Sequence, residues 1–347
     1  MDIELFDYDL PRDLIAQHPS RKRDESRLMV IDRRRSGLAK ILPFSRIIDY
    51  LQPGDALVVN NTKVFKARLF AKRASGAGVE VFLVRRVPDA VDERWLALVS
   101  PSRRVKPGEW VEFEGTPGVE LLDNQGDGRW YVRFTSRSAR ERLIARYGHV
   151  PLPHYIRRGD SAQDIRRYQT VFADSNKVGA VAAPTAGFHF TRRLLEQLDA
   201  RGIMKIELTL HVGPGTFKPV TAERVEDHTV DPEFAELPVA AADAINRVRD
   251  RGGRLFVVGT TSVRTLESAR IVDGRVQPLS KMVDLYIRPG HRFQVVDHMI
   301  TNFHLPKSSL LILVSAFAGR ERMLAAYEQA ISECLRFYSY GDAMLIL

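Results

Sequence analysis

The sequence predicts an α/β (α+β) protein of two domains, in which a small β-barrel is inserted into a mixed-sheet α/β body. Three observations predict this fold. The 347 residues suffice for about two domains of roughly 150 residues each. Short alternating strands separated by turns fill the chain from about Lys63 to Arg133. Strands and helices then alternate from about residue 177. We expect residues 1–60 and 150–347 to form the body and residues 61–149 to form the barrel.

The barrel prediction depends on six candidate strands at close spacing, a pattern typical of a small closed barrel. Residues 1–60 precede them and are expected to form short strands and helices, ending in the apolar run Asp55–Val59. The six strands are predicted at Val64–Ala71, Val79–Val84, Trp95–Val99, Glu109–Phe113, Val119–Leu122 and Trp130–Phe134. A helix at Ser138–Tyr147 follows, and the proline-rich Pro151-Leu152-Pro153 indicates a domain edge.

The second half of the body is predicted to alternate strands with helices. Thr191 is a suitable N-cap for a helix over Thr191–Arg201. Gly252-Gly253 is a suitable stop for a helix over Pro238–Arg251. The other predicted elements are strands at Val178–Ala183, Ile203–Val212, Arg254–Val258 and Ala343–Leu347, and helices from about Ser262 and over Glu321–Phe337.

Composition narrows the class of protein. The chain has 52 lysines and arginines against 43 aspartates and glutamates, a net charge of +9, and many of the basic residues occur in adjacent pairs. Such pairs either track a phosphate backbone or form a solvated basic surface. The single cysteine, Cys334, excludes a disulfide framework and a thiolate zinc site. The most apolar run, Ser308–Phe317, is shorter than the roughly 18 residues of a membrane span, and no signal peptide is evident. We expect a cytoplasmic monomer without a membrane partner.

Four loops combine small residues, hydroxyl groups and histidine directly after apolar strands, where ligands bind in open α/β sheets. They are GAVAAPTAGFHFT (Gly179–Thr191), LHVGPGTF (Leu210–Phe217), GTTSVRTLES (Gly259–Ser268) and TNFHLPKSS (Thr301–Ser309). In the third loop, backbone N–H groups at a helix start favour a carboxylate or phosphate. Arg264 would add a bidentate partner, and Glu267 could bind sugar hydroxyls. The alternative is an ordinary strand–turn–helix with a serine cap.

Four histidines in or near these loops could carry protons near neutral pH: His189, His211, His228 and His304. A lone histidine is more often a structural group. His228 lies in the acidic, proline-broken segment Glu226–Glu236, which either is a solvated surface turn or holds a base beside its orienting carboxylate. The chain lacks a G-x-x-x-x-G-K-[ST] phosphate loop, an H-E-x-x-H motif and a full dinucleotide fingerprint.

The same loops, with further motifs from end to end, carry a resemblance to a known family. The motifs include FDYDLPRDLIAQHP (Phe6–Pro19), NNTKVFKARL (Asn60–Leu69), PSRRVKPGE (Pro101–Glu109), GHVPLPHYI (Gly148–Ile156) and FYSYGDAMLI (Phe337–Ile346). In this order they closely resemble the S-adenosylmethionine:tRNA ribosyltransferase-isomerases of queuosine biosynthesis, the QueA family. That resemblance also implies an α/β domain with an inserted β-barrel.

The resemblance implies a reaction. The family transfers the ribosyl part of S-adenosylmethionine onto 7-aminomethyl-7-deazaguanine at the wobble position of tRNA and isomerises it, giving epoxyqueuosine, adenine and methionine. S-adenosylmethionine is a co-substrate, and neither a metal nor a permanently bound cofactor is expected. The sulfonium acidifies the C5′ protons, so a positioned base can remove one. The expected partner is the anticodon arm of tRNA, which would present an extruded base.

Roles follow for the residues of the motifs. Thr260, Thr261, Ser262 and Arg264, with Glu267, would hold the methionine carboxylate or the ribose. Thr185, Gly187, His189, His211, Asn302 and His304 would line the reaction pocket, with His189 and His211 as further catalytic candidates. His228 and Glu233 would transfer protons or bind the deazaguanine.

The chain departs from the family pattern at two places. Where the family usually has H-x-M-H-x-E, this chain has His228-Thr229-Val230-Asp231-Pro232-Glu233, so Val230 and Asp231 replace Met and His. Where the family tends to have Y-P-G-Y, this chain has Arg288-Pro289-Gly290-His291. Two alternative functions therefore stay open: another S-adenosylmethionine-using transferase that acts on RNA, and a non-catalytic tRNA-binding descendant.

Overall fold

The computed structural model of the chain describes residues 1–35, 37–88, 90–217 and 219–347, and within them it contains twenty β-strands and seven α-helices. The strands are β1 (Arg27–Ile31), β2 (Lys40–Pro43), β3 (Ala56–Asn60), β4 (Lys63–Val64), β5 (Arg68–Lys72), β6 (Gly78–Arg86), β7 (Glu93–Ser100), β8 (Glu109–Phe113), β9 (Thr116–Gly126), β10 (Arg129–Phe134), β11 (Gly148–His149), β12 (Val178–Ala180), β13 (Met204–Leu210), β14 (Glu233–Leu237), β15 (Leu255–Val258), β16 (Ile271–Val272), β17 (Arg275–Val276), β18 (Leu279–Val283), β19 (His298–Asn302) and β20 (Ala343–Ile346). The helices are α1 (Arg137–Tyr147), α2 (Ala162–Arg167), α3 (Arg192–Asp199), α4 (Val239–Asp250), α5 (Thr260–Glu267), α6 (Ser309–Ala318) and α7 (Arg320–Ser332).

A nine-stranded mixed sheet forms the body, in the order β18-β14-β13-β3-β15-β19-β20-β1-β2. Strands β13, β3, β15 and β19 are parallel neighbours, so their carboxyl ends meet at one edge. All residues of β3 and β15 are buried, as expected for parallel strands covered on both faces. The alternation of side chains along β3 sends Ala56 and Val58 to one core and Leu57 and Val59 to the other.

Helices cover both faces of this sheet. The apolar faces of α4, α5, α6 and α7 pack on one side, and α3 packs on the other beside the 3₁₀ turn that contains Phe44 and Ile47. The run Ser308–Phe317 is accounted for by α6, which is buried against the sheet. Among the described residues, no helix is long and apolar enough to cross a membrane.

The barrel is a closed sheet of six strands in the order β5-β6-β7-β10-β9-β8, in which β5 also pairs with β8 and so completes the ring. The short strand β11 extends it beyond β5. Inward-facing residues alternate along the strands, as Val79, Val81 and Leu83 do on β6, and form a core of their own. The predicted mixed-sheet body and inserted barrel are therefore confirmed. The domain boundaries at residues 61 and 149 stay a prediction.

One predicted strand is divided in two where the chain passes from body to barrel. Val64–Ala71 is not continuous, because β4 ends at Val64 and β5 begins at Arg68. Strand β4 pairs in parallel with β12, outside both large sheets. A fourth apolar cluster, which includes Val64, Val150 and Tyr168, packs where the two parts meet.

Other differences concern element ends. The Thr191 hydroxyl caps α3 by accepting a hydrogen bond from the Leu194 N–H at 3.1 Å, as predicted. Helix α5 begins at Thr260 rather than Ser262, and α7 ends at Ser332 rather than Phe337 because Cys334 has a left-handed φ of 53°. The segment Glu226–Glu236 is not only a loop, since its end starts the buried strand β14.

We predict that Asp55→Asn lowers the free energy of unfolding by about 2–3 kcal/mol, because a buried carboxylate that accepts several hydrogen bonds loses its charge. Asp55 accepts hydrogen bonds from the backbone N–H groups of Gln52 (2.8 Å) and Arg254 (2.9 Å) and pairs with the Arg254 guanidinium at 2.6 Å, joining the starts of β3 and β15. Urea denaturation measures the change. Asp250→Asn is the control, because its ion pair with Arg275 is exposed. Equal losses in both variants would contradict the prediction.

Candidate functional site

A pocket opens at the carboxyl ends of the parallel strands. We call it the strand-end pocket, and its walls include Thr185, Thr216, Thr260, Thr261, Asn302 and His304. Asn60, the last residue of β3, holds the surrounding segments together. The Nδ2 of its buried carboxamide donates to the Leu210 C=O at 3.0 Å and to the Thr261 Oγ1 at 3.3 Å, and its Oδ1 accepts from the Leu210 N–H at 3.1 Å. The predicted clustering of loops at this sheet edge follows from the parallel register.

Asn302 connects this pocket to His189. The Asn302 Oδ1 accepts a hydrogen bond from the Thr185 hydroxyl at 3.1 Å, and its Nδ2 donates to the His189 Nε2 at 3.1 Å. The other ring nitrogen of His189 lies 2.7 Å from the Ser26 Oγ. Burial lowers the pKa of His189 to about 3, with Arg336 and Arg23 adding to the effect. His189 is therefore an uncharged group that orients Asn302, which corrects its expected role as a proton carrier.

His304 lines the pocket but is also uncharged. Its Nε2 lies 3.0 Å from the Thr301 Oγ1, and burial lowers its pKa to about 3. Two tyrosines bond the His304 backbone. Its N–H donates to the Tyr327 hydroxyl at 2.9 Å, and its C=O accepts from the Tyr8 hydroxyl at 2.5 Å. His304 can offer shape and a ring face to a ligand at neutral pH, but no positive charge.

Three predicted substrate-binding residues lie away from the pocket. The Ser262 hydroxyl, in the first turn of α5, donates to the Val258 C=O at the end of β15 at 2.7 Å. The Glu267 carboxylate is buried and accepts from the backbone N–H groups of residues 294–296 at 2.9–3.1 Å, so it cannot bind sugar hydroxyls. Gly187 packs against Thr170, where a Cβ would lie only 2.7 Å from the threonine side chain. All three serve the local structure.

A second, more polar space adjoins the strand-end pocket. We call it the polar cavity; it has a volume of about 510 Å³, and its walls include Arg129, His228, Asp231, Glu233, Arg264 and Tyr286. Thr216 and Leu310 line both spaces, so the two are adjacent. A volume of this size is typical of small-molecule sites.

Glu233 and Arg264 form a buried ion pair at the centre of the polar cavity, with side chains 4% and 8% exposed. The other carboxylate oxygen of Glu233 accepts from the Gly213 N–H at 2.7 Å and from the Thr216 hydroxyl at 3.0 Å. Arg264 also donates to the Leu285 C=O at 3.1 Å, while its Nη2 is buried and bonds no described residue. This buried donor can bond a ligand only if the cavity wall shifts to expose it.

His228 is the histidine of the polar cavity. Its ring lies edge-on to Tyr286, with centroids 5.2 Å apart. Burial lowers its pKa, and the neighbouring Asp231 opposes that effect. The imidazole is thus neutral at pH 7 and can accept a proton.

His211 lies outside both spaces. It faces a third one, the outer cleft, which lies between barrel and body. Its Nδ1 is 2.8 Å from the Thr62 Oγ1, its ring stacks on Phe234, and burial lowers its pKa. A Cβ at Gly179 would lie 2.6 Å from this ring, so only glycine permits the contact. The expectation that His211 lines the same pocket as Thr185 was wrong.

The comparisons with known proteins agree along the whole chain. A model of the family described as queuosine biosynthesis protein matches residues 3–346. The chain belongs to this family. Relatives from Geobacter sulfurreducens and Trichlorobacter lovleyi, both named S-adenosylmethionine:tRNA ribosyltransferase-isomerase, are 49% and 46% identical over 98% and 100% of both chains. The crystal structure of S-adenosylmethionine tRNA ribosyltransferase from Thermotoga maritima matches with a TM-score of 0.54 and 34% identity, over 99% of this chain and 100% of that chain.

Within the queuosine biosynthesis family, the two departures of this chain have different surroundings. Asp231 lines the polar cavity and pairs at 2.6 Å with Arg129 of the barrel. A Cβ at Gly215 would lie 2.5 Å from the Asp231 carboxylate, so the glycine admits this side chain. His291 instead faces the buried Glu267 at 3.4 Å, outside the cavity.

Sequence reasoning missed several residues that line these spaces. Arg129 reaches the polar cavity from the barrel, and Tyr286 stands beside His228. Thr216 joins the two spaces and bonds Glu233. Thr216 lies within a loop that the sequence had singled out, whereas no local pattern marks Arg129, because its position depends on how the barrel meets the body.

We predict that His189 makes stability depend on pH. Because its pKa is lowered to about 3, the unfolded chain binds the extra proton below about pH 6.5, and folding stability is lost as the pH falls from there towards 3. Between pH 7 and 5 this contributes up to about 2 kcal/mol. Urea denaturation should show a loss that is smaller in His189→Gln than in the wild type by this amount, because His304, whose pKa is also lowered, still contributes in both, while exposed His154→Gln should behave like the wild type. Equal pH dependence in wild type and His189→Gln would disprove the assignment.

Proposed function

We propose that this chain is an S-adenosylmethionine:tRNA ribosyltransferase-isomerase, which transfers and isomerises the ribosyl group of S-adenosylmethionine onto 7-aminomethyl-7-deazaguanine at the wobble position of tRNA. The products are epoxyqueuosine-tRNA, adenine and methionine. One observation carries the proposal: in a member of the queuosine biosynthesis family, the hydroxyl-rich strand-end pocket and the polar cavity are adjacent and share Thr216 and Leu310 in their walls. The reaction needs neighbouring spaces of this kind to bring its two substrates together.

The hydroxyl groups of the strand-end pocket suit the adenosine end of S-adenosylmethionine, but the pocket has a volume of only about 50 Å³ and must widen to admit it. Thr260 and Thr261 begin α5 there, and the pocket also has apolar walls at Val212 and Phe303. The methionine carboxylate belongs in the polar cavity, where the unpartnered Nη2 of Arg264 supplies a charged donor. The reacting C5′ then lies where the two spaces meet, near Thr216. Arg264 holds the substrate through this donor, while its Nη1 keeps Glu233 in place.

His228 is the residue suited to remove the C5′ proton. It is neutral at pH 7 and faces the polar cavity. The Glu233 carboxylate already accepts hydrogen bonds from Gly213, Thr216 and Arg264, which favours a positioning role over proton transfer. After adenine departs, the exocyclic amine of the deazaguanine attacks, and methionine leaves as a neutral thioether. Positioning and proton transfer supply the rate enhancement.

The remaining parts of the proposal concern partners and surroundings. The substrate is the anticodon arm that carries the deazaguanine, and S-adenosylmethionine is consumed as a co-substrate. No permanently bound cofactor or metal is required, because the sulfonium itself activates the C5′ position. We infer a monomer that acts in the cytoplasm, where both substrates occur.

The proposal predicts turnover that depends on both substrates. Purified protein, S-adenosylmethionine and an anticodon stem–loop bearing the 7-aminomethyl-7-deazaguanine should release free adenine and yield a nucleoside with the epoxyqueuosine mass. Mass spectrometry follows both products, and the same hairpin with guanine is the control. Turnover on the guanine hairpin would sink the proposal. A different mass on the modified nucleoside would indicate another transferase, and binding without consumption of S-adenosylmethionine would indicate a non-catalytic tRNA-binding protein.

We predict that His228→Ala lowers the single-turnover rate of adenine release by about 100-fold or more, since a general base is lost. In the wild type this rate should rise with pH through a pKa below 6.5, because burial lowers the pKa of His228. This rise of the rate with pH should be absent in His228→Ala. His154→Ala, at an exposed position, is the control. An unchanged rate in His228→Ala would remove this residue from the mechanism.

A further inference from the structure

The outer cleft is the third of the spaces described above, and the proposed reaction does not use it. Its barrel wall includes Arg85, Arg86 and Tyr131, and its body wall includes His211, Phe234 and Met282. The volume is about 550 Å³, as large as the polar cavity. Both spaces are lined by Arg129, Asp231 and Glu233, so the cleft ends where the polar cavity begins.

The walls of the cleft combine flat aromatic rings with positive charge. The rings of His211 and Phe234 stack with centroids 5.7 Å apart and an interplanar angle of 29°. Tyr131 is half-buried on the opposite wall. Arg85 is exposed and forms no ion pair within the described residues, and Arg86 is only 3.9 Å from Glu93 in a loose, half-exposed pair.

The acidic groups of the cleft do not cancel this charge. Asp231 is paired with Arg129 at 2.6 Å, and Glu233 is paired with the buried Arg264. The positive charge of the arginines at the rim therefore suits a partner of negative charge. Aromatic platforms beside exposed arginines are the combination that binds single-stranded nucleic acid, because every base has a π-face and every nucleotide a phosphate.

We propose that the outer cleft binds one unpaired nucleotide adjacent to the wobble base, with its base against Tyr131 and Phe234 and its phosphate near Arg85 and Arg86. This inference rests on the proposed function. A base extruded into the polar cavity carries its covalent neighbours to the mouth of that cavity, and the outer cleft is the space that adjoins it at Arg129 and Asp231. The cleft thus adds recognition of the loop sequence to recognition of the modified base.

The test combines variants of Tyr131 with abasic hairpins. The probe is a fluorescein-labelled anticodon stem–loop with guanine at the wobble position, which reports binding by anisotropy and needs no turnover. Loss of a base–aromatic stack weakens binding by about five-fold to 100-fold, so Tyr131→Ala should fall in this range, and Tyr131→Phe should stay within about two-fold of wild type. An abasic residue on the 5′ or the 3′ side of the wobble position should weaken wild-type binding similarly.

The two losses should not add. If the neighbouring base stacks on Tyr131, the abasic hairpin should bind wild type and Tyr131→Ala with nearly equal affinity, and the side that shows this coupling identifies the nucleotide. Fully additive losses at both positions would overturn the proposal. So would a Tyr131→Phe variant as weak as Tyr131→Ala.

Charge is tested separately with Arg85→Ala. This variant should bind the hairpin several-fold more weakly, with a salt dependence reduced by about 0.7 in the slope of log K against log salt. Arg142→Ala is the matched control, because this exposed arginine of α1 removes the same charge away from the cleft. Equal effects of the two variants would contradict the proposal, since a general charge effect would explain both.

Steady-state kinetics on the deazaguanine hairpin separate this proposal from the proposed function. Tyr131→Ala and Arg85→Ala should raise the KM for the hairpin and leave the KM for S-adenosylmethionine and kcat near wild type. Coupling between Tyr131→Ala and an abasic position, without any wild-type turnover, would refute the proposed function and support nucleotide binding in the outer cleft. Wild-type turnover without coupling would support the function and refute the cleft.

Discussion

The buried ion pair between Glu233 and Arg264 is the interaction on which the arrangement of the site depends. Burying two charges costs several kcal/mol per ion unless their hydrogen bonds are satisfied. Glu233 meets this demand with Gly213 and Thr216, which belong to the loop after β13, while Arg264 belongs to α5. Three segments are thereby held around one carboxylate, and the Nη2 of Arg264 is buried without a bond to a described residue. Such a pair contributes little net stability, so its value lies in holding the loops in one arrangement.

The inserted barrel completes a site that the body alone leaves open. Arg129 of β10 pairs with Asp231 of the body at the boundary between the polar cavity and the outer cleft. The short β4–β12 pair and the apolar cluster around Val64 and Tyr168 support the same junction. Insertion of the barrel therefore places the outer cleft directly beside the polar cavity.

Local patterns predicted most elements because each strand or helix buries one face whose period appears in the sequence. The barrel strands and Thr191 as an N-cap are examples. Predictions went wrong where a distant partner decides the structure. The apolar run after Lys63 breaks because β4 pairs with β12, more than a hundred residues away. The sequence left open whether Glu233 lies in a solvated acidic turn or beside a base, and it begins a buried strand in which Arg264 neutralises it.

The sequence by itself determined the family, the α/β body with its barrel, and the sheet edge at which the site lies. These properties depend on motif order and on hydrophobic periods, which are local. Tertiary structure decided the surroundings of each candidate side chain. His189 and His304 lose their charge through burial, whereas His228 faces the polar cavity, and Glu267 is consumed by backbone hydrogen bonds while Arg264 keeps a free donor. Burial and hydrogen-bond partners set the proton affinity of a side chain, and both come from residues far away in the chain.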